Sequence, residues 1–309
     1  MNAKEAVVCT QKFFVRHSKD SLRFSEHAIN TLASGVEDRR STFNLFEFGL
    51  RNEAPTRLQI NHIQGYPDAD PETERRLVQK KLLSVTEVIR SANNDHTAHF
   101  DIEAMNTVMR LFEKNRSAYC RVLFSFEADI PTGKAMKMTL YGRLNSKREA
   151  DELCADLNLR SAPALARFIS PNLCNVGIDF GSDRSSQLKV YRWWPLTPSD
   201  IKDKTLRSFL EFLHANFPLR DFATMLRLKK DGRPEPGLKW GVTFRHPTTV
   251  ADIAQLKLLR DRYPDFLIRA SNHVPNHHIS YLAFDPKFMS IYCGKRIEAW
   301  LPWLRFHDE

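Results

Sequence analysis

Four segments of the chain set acids, bases and tyrosines two residues apart. LFEFGLR (45–51) carries Leu45, Glu47, Gly49 and Arg51 at alternate positions, and AMKMTLYGRL (135–144) carries Lys137, Thr139, Tyr141 and Arg143. NVGIDFGSDRSSQLKVYRWW (175–194) carries Asn175, Gly177 and Asp179, then Lys189, Tyr191 and Trp193. LKWGVTFRH (238–246) carries Lys239, Gly241, Thr243 and Arg245. Alternate side chains of a strand share a face, so each segment aims its polar set one way. It aims an apolar set, such as Val176, Ile178 and Phe180, the other way. A common space holding Arg51, Lys137, Lys189, Lys239 and Arg245 calls for a multiply charged anion, because unpaired buried cations are costly. Tyrosines among those cations offer electron-rich faces that attract positive charge. Both features suit a ligand that departs as an anion and leaves a cation behind.

The elements that must position these residues form a recurring order of helix, strand, turn and strand. Five strand pairs are expected: 41–51 with 57–64, 119–130 with 136–144, 175–180 with 188–193, 222–230 with 238–246, and 277–285 with 288–294. Between them lie helical patterns. Asp70 caps one that carries Leu77, Val78, Leu82, Val85 and Ile89. Others run through Ile102 to Phe112, after the Ser146–Glu149 capping box, over APALARFI, along Leu206, Leu210 and Leu213, and from Thr249 through Val250, Ile253 and Leu256. For any one hairpin, a polar outer face in water is the better reading. Several hairpins with the same pattern, each followed by a helix needing an apolar surface, favour closure. The expected fold is α+β: one domain over residues 1–309, a single ten-stranded antiparallel β-barrel surrounded by helices.

Composition narrows the function classes. The net charge is +9 and the pI about 9.3, yet Lys and Arg are spread along the chain instead of forming the stripe of a nucleic-acid binder. No apolar run approaches the roughly 18 residues of a membrane-spanning helix. The N-terminus lacks the apolar segment of a signal peptide. Cys9, Cys120, Cys154, Cys174 and Cys293 are scattered, without metal-ligand spacing, as in a reduced cytoplasmic protein. The histidines of NHVPNHH (272–278) have no partner cluster and read as a polar loop.

With this pattern the chain resembles the ABBA prenyltransferases, and among them the cyanobactin-type peptide prenyltransferases. NVGIDFGSDRSSQLKVY resembles their third hairpin, FEFGLRNE their first strand and MKMTLY another. No DDxxD-like metal motif of the other prenyl-transfer class occurs. The resemblance implies that Glu47 orients and deprotonates the acceptor. It implies that Arg51, Lys137, Lys189 and Arg245 hold diphosphate, and that Tyr141, Tyr191 and Tyr292 shield an allyl cation. Lys239 joins the diphosphate set by its face alone. Asp179 and Met225 are placed in the acceptor pocket, where Asp179 either receives a cationic acceptor or fixes an interior arginine such as Arg143, and Met225 and Leu226 lie near where the family sets isoprene length. A family arginine of the second strand falls near Asn61. The implied partners are an allylic diphosphate, with dimethylallyl ahead of geranyl, and a peptide acceptor. Magnesium is expected on the diphosphate with no dedicated protein metal site, and the protein is expected to be a monomer without nucleic-acid or membrane partners.

The acids Glu47, Asp179, Glu127 and Asp129 tilt the acceptor expectation towards an arginine guanidine, which needs carboxylates to bind it and to remove a proton. Tyrosine, tryptophan and histidine are the runners-up. Three other readings compete: a barrel that carries a phosphorylated lipid without chemistry, a prenyltransferase for small aromatic molecules, and an RNA-binding protein. The last needs exposed aromatics interleaved with cations, whereas these tyrosines share the proposed interior face.

Overall fold

A computed structural model of the chain describes residues 45–52, 57–65, 70, 72, 73, 76, 83, 87, 100–105, 121–129, 135–144, 147–156, 174–181, 186–195, 201, 204–229, 231, 233–235, 239–285 and 288–293. The side chains of Glu47, Arg143, Asn175 and Trp193 lie outside that description, as do Ser146, APALARFI and the tail with Trp300 and Trp303. In chain order the strands are β1 (Leu45–Arg51), β2 (Arg57–Gly65), β3 (Arg121–Asp129), β4 (Ala135–Leu144), β5 (Cys174–Gly181), β6 (Ser186–Pro195), β7 (Leu219–Leu228), β8 (Lys239–Phe244), β9 (Ile279–Phe284) and β10 (Met289–Cys293). The helices are α1 (Lys147–Asp156), α2 (Lys204–Asn216), α3 (Val250–Gln255), α4 (Lys257–Arg262) and α5 (Pro264–His273).

Each strand pairs antiparallel with its sequence neighbours, and β1 pairs with β10 to close the sheet into a barrel. The seam aligns Phe48 with Cys293, Gly49 with Tyr292, Leu50 with Ile291 and Arg51 with Ser290. Closure leaves no sheet edge to pair with another chain.

The apolar sets face away from the polar interior, and those of β1 and β7–β10 pack under helices. Val176, Ile178, Phe180, Leu188 and Val190 are fully buried. Leu206, Leu210 and Leu213 of α2 form one cluster with Leu219, Phe222, Val242, Leu282 and Ile291 of the barrel. Phe209 meets Phe284 edge to face at 4.8 Å between ring centroids. A fully buried leucine of this kind contributes about 1.5–3 kcal/mol. Thr249 caps α3 in a capping box with Asp252. The backbone of Glu72 and Thr73 donates to Asp70, as the Asp70 cap requires. The helix expected through Leu256 instead breaks there, at φ −67°, ψ 109°, and α4 and α5 follow, the latter opened by Pro264. No described helix is long and apolar enough to cross a membrane.

Candidate functional site

With the apolar residues turned outward, the alternate polar residues line the interior. Register decides which of them meet. Glu127 of β3 lies opposite Lys137 of β4, and Thr139 lies opposite Asp179 of β5. Gly177 lies opposite Lys189 of β6, and Lys189 opposite Arg227 of β7.

These neighbours form a chain of alternating charge. Arg51 Nη1 donates to Glu127 Oε2 at 2.9 Å, and Lys137 Nζ lies 2.8 Å from the same oxygen. Lys137 Nζ is also 3.6 Å from Asp179 Oδ2, which Lys189 Nζ approaches to 2.6 Å. Thr139 Oγ1 donates to Asp179 Oδ1 at 2.6 Å. Glu127 is 2% exposed, and Asp179 and Lys189 are each 5% exposed. Among the described residues, three cations against two carboxylates leave this network one net positive charge while Lys189 is protonated.

The electrostatics follow from that arrangement. Burial opposes ionisation of Glu127, but Arg51 and Lys137 outweigh it and hold the carboxyl well below its usual range. Burial likewise opposes Asp179, and Lys189 and Lys137 win. Burial also works against the Arg51 cation, and Glu127 more than offsets it, so its pKa ends above the ordinary value. Lys189 is the loosest proton holder. Burial pushes its pKa from 10.5 down to about 7, Asp179 pulling upward while Lys137 and Arg227 repel the charge.

Aromatic rings stand beside the network. Tyr141 and Tyr191 have centroids 5.9 Å apart, and Tyr281 and Tyr292 have centroids 5.6 Å apart. Burial, then Asp179, raises the Tyr141 phenol, and burial with Tyr141 raises Tyr191, so both stay neutral at ordinary pH. Two glycines make room for them. A Cβ on Gly177 would sit 3.0 Å from a Tyr141 ring carbon, and one on Gly241 would fall 1.8 Å from the Tyr281 hydroxyl oxygen.

The structure gathers Arg51, Lys137, Lys189, Tyr141, Tyr191 and Tyr292 into this region. Met225 lies opposite both Tyr191 and Lys239 in register, so Lys239 also shares the interior face. The backbone of Glu47 pairs with Asn61 in β1–β2, two residues before Gly49. One expectation changes. Arg245 stands one residue beyond β8, at the end opposite Lys239. It is exposed, and its Nε donates to the Leu219 carbonyl at 3.1 Å. The strand carries its alternation away from the cluster, which lies at the Lys239 end. Asp179, open in sequence between receiving a cationic acceptor and fixing an interior cation, is engaged by Lys189, Lys137 and Thr139 and serves as counterion to the two lysines. Sequence reasoning gave Glu127 no bridging role and passed over Tyr281 and Arg227. Position parity with Leu123 and Ser125 was the one signal for Glu127.

The shift at Lys189 has a stability consequence. Between its folded pKa of about 7 and its ordinary 10.5, the unfolded chain binds the proton more tightly. Stability therefore rises with pH across that window. The raised tyrosines act in the opposite sense only above about pH 10, and the depressed carboxyls withdraw stability only as pH falls below about 4. Melting temperature should thus increase from pH 7 to 9 in the wild type and increase less in Lys189→Met. Equal slopes would remove Lys189 as the cause.

No protein-family model matches the chain, and no curated protein is similar to it in sequence. Solved structures are similar in fold. PriB, in a binary complex with product diphosphate, has a TM-score of 0.64 at 14% identity, over 97% of each chain. The 5-dimethylallyl tryptophan synthase from Streptomyces coelicolor, in complex with DMASPP and Trp, has a TM-score of 0.60 at 13% identity, over 93% of this chain and 92% of that one. AnaPT from Neosartorya fischeri gives 0.54 at 11% identity, over 94% and 92%. The chain has the ABBA-type barrel fold of these prenyltransferases along nearly its whole length.

Proposed function

We propose that this barrel is a prenyltransferase that moves a dimethylallyl group from its diphosphate to an electron-rich acceptor side chain. The observation that carries the proposal is the buried, net-positive network of Arg51, Glu127, Lys137, Asp179 and Lys189 beside four tyrosines. Fixed cations stabilise the negative charge that develops on a departing diphosphate. As the allylic C–O bond breaks, the allyl carbon gains positive charge, which neutral tyrosine faces stabilise while they exclude water. The acceptor attacks that carbon, and Glu47 takes the proton it releases. Among the described residues no cluster of His, Cys, Asp and Glu could hold a metal ion. Magnesium, which the resemblance implies, would bind the donor's diphosphate oxygens, and no step above depends on it.

The acceptor reading shifts with the structure. Four acids favoured an arginine guanidine, but Glu127 and Asp179 are committed to lysine and arginine partners. An indole or phenol needs one base, and Glu47 suffices. The Streptomyces coelicolor synthase is named with Trp, and NotF with brevianamide F, which supports an aromatic acceptor. We infer a tryptophan or tyrosine side chain, within a peptide as the third-hairpin resemblance implies. The test offers cyclic peptides bearing a single Trp, Tyr, His or Arg, and free tryptophan, with dimethylallyl and geranyl diphosphate. Mass gain on the Trp or Tyr peptides is expected. Modification of arginine peptides alone would overturn the acceptor reading. Donor binding with no transfer to any acceptor would favour the lipid-carrier reading instead.

A further inference from the structure

Arg227 belongs to no part of the network above, yet it faces the same interior. It lies directly opposite Lys189 in the β6–β7 register, while its neighbours Leu226 and Leu228 are buried on the outer side. Its Nε is buried and has no hydrogen-bond partner. Among the described residues, Glu235 is the carboxylate paired with its guanidinium, with Nη1 to Oε2 at 3.9 Å, a loose ion pair. Glu235 stands on the connection between β7 and β8. Gln187 of β6 donates to its Oε1 at 2.5 Å, and its own N–H donates to the Arg227 carbonyl at 2.9 Å. A carboxylate from a connecting segment thus bridges Gln187 of β6 and Arg227 of β7.

Charge balance gives this arrangement a purpose. Among the described residues, the five-membered network offers one net positive charge with Lys189 protonated, because Glu127 and Asp179 offset two of its three cations, and Lys239 adds one more on the same face. A diphosphate carries several negative charges and needs more than that. Arg227 is a cation with an unused buried donor, 30% exposed and weakly held. A planar guanidinium grips phosphate oxygens at two points better than an ammonium does. From this geometry we infer that Arg227 is a further diphosphate-binding residue, and that Glu235 is an internal anion holding its place until the donor's diphosphate displaces it. The inference rests on the reading that the interior takes a diphosphate.

The two halves predict opposite signs. Arg227→Gln should weaken binding of inorganic diphosphate by roughly tenfold, the scale of a partly exposed charge-assisted hydrogen bond. Glu235→Gln should tighten it by roughly threefold or more, because a competing negative charge is gone. In the Arg227→Gln background, Glu235→Gln should give no further gain. Titration calorimetry on the full chain measures all four proteins, with Lys189→Gln as a control. If Glu235 only ties down its segment, Glu235→Gln will weaken binding or leave it unchanged, and the exchange is rejected. Unchanged affinity in Arg227→Gln, with binding lost in Lys189→Gln, rejects the role of Arg227 while the diphosphate site stands. No binding by the wild type rejects the underlying reading itself.

Discussion

Glu127→Gln should yield a protein that is markedly less stable alone and largely restored by diphosphate. Glu127 is buried and joins Arg51 at 2.9 Å to Lys137 at 2.8 Å through one oxygen. The amide keeps the shape and loses the charge. Within the described network, two carboxylates facing three cations become one, and Arg51 loses the 2.9 Å ion pair it makes with Glu127. Breaking a buried pair by removing one partner costs about 3–5 kcal/mol, since the remaining charge stays buried without compensation. For a chain of this size that is a fall in melting temperature on the order of 10 °C. An added anion supplies the missing charge and stabilises the folded state by mass action. Differential scanning calorimetry should therefore find a larger upward shift with millimolar diphosphate in Glu127→Gln than in the wild type. A stability loss that diphosphate does not recover would make Glu127 a purely structural ion-pair partner. It would also count against an interior arranged for an anion.

The sequence made the faces legible and left their meeting points hidden. Alternation identified the interior sets of Lys137 and Tyr141, and of Lys189 and Tyr191, because each lies within one regular strand. Which strand brings which residue alongside depends on register, and register is a property of pairs. Glu127 was visible as an acid near a strand end, but its place between Arg51 and Lys137 comes from the β2–β3 and β3–β4 alignments. Strand ends misled in the case of Arg245, which keeps the parity of Lys239 but falls beyond Phe244, where β8 stops. Tyr281 was hidden by a bulge. Tyr281 pairs with Tyr292, yet the next residue, Cys293, pairs with Ile279, so Ser280 is the extra residue and bonds the Tyr292 carbonyl. Ile279 accordingly turns into the outer core although it shares parity with Tyr281. A period of two cannot anticipate such a switch. The helices that follow Leu256 were missed for a similar reason, since the break at Leu256 interrupts the helical spacing.

Glu47→Gln should do the reverse of Glu127→Gln: leave stability and diphosphate affinity near wild type and abolish most of the turnover. Glu47 lies in β1 four residues before Arg51, and its backbone pairs with Asn61 of β2. The acceptor of an allyl cation, whether indole or phenol, must lose a proton once the new bond forms. An appropriately placed carboxylate contributes about 10²–10⁴-fold to such a step. Glutamine preserves size and hydrogen bonding and cannot accept the proton, so the loss should appear in kcat by at least about 100-fold. The binding constant for diphosphate should stay within about threefold, because the network proposed to hold the anion is built from other residues. The pH profile separates this role from a structural one. A carboxylate base imposes an acidic limb on the wild-type kcat near its pKa, and that limb should vanish from the residual activity of Glu47→Gln. Should the variant instead keep near-normal turnover, the proton must leave by another route. Should it lose diphosphate affinity along with turnover, Glu47 acts through the positioning of Arg51, with which it shares a strand and a face.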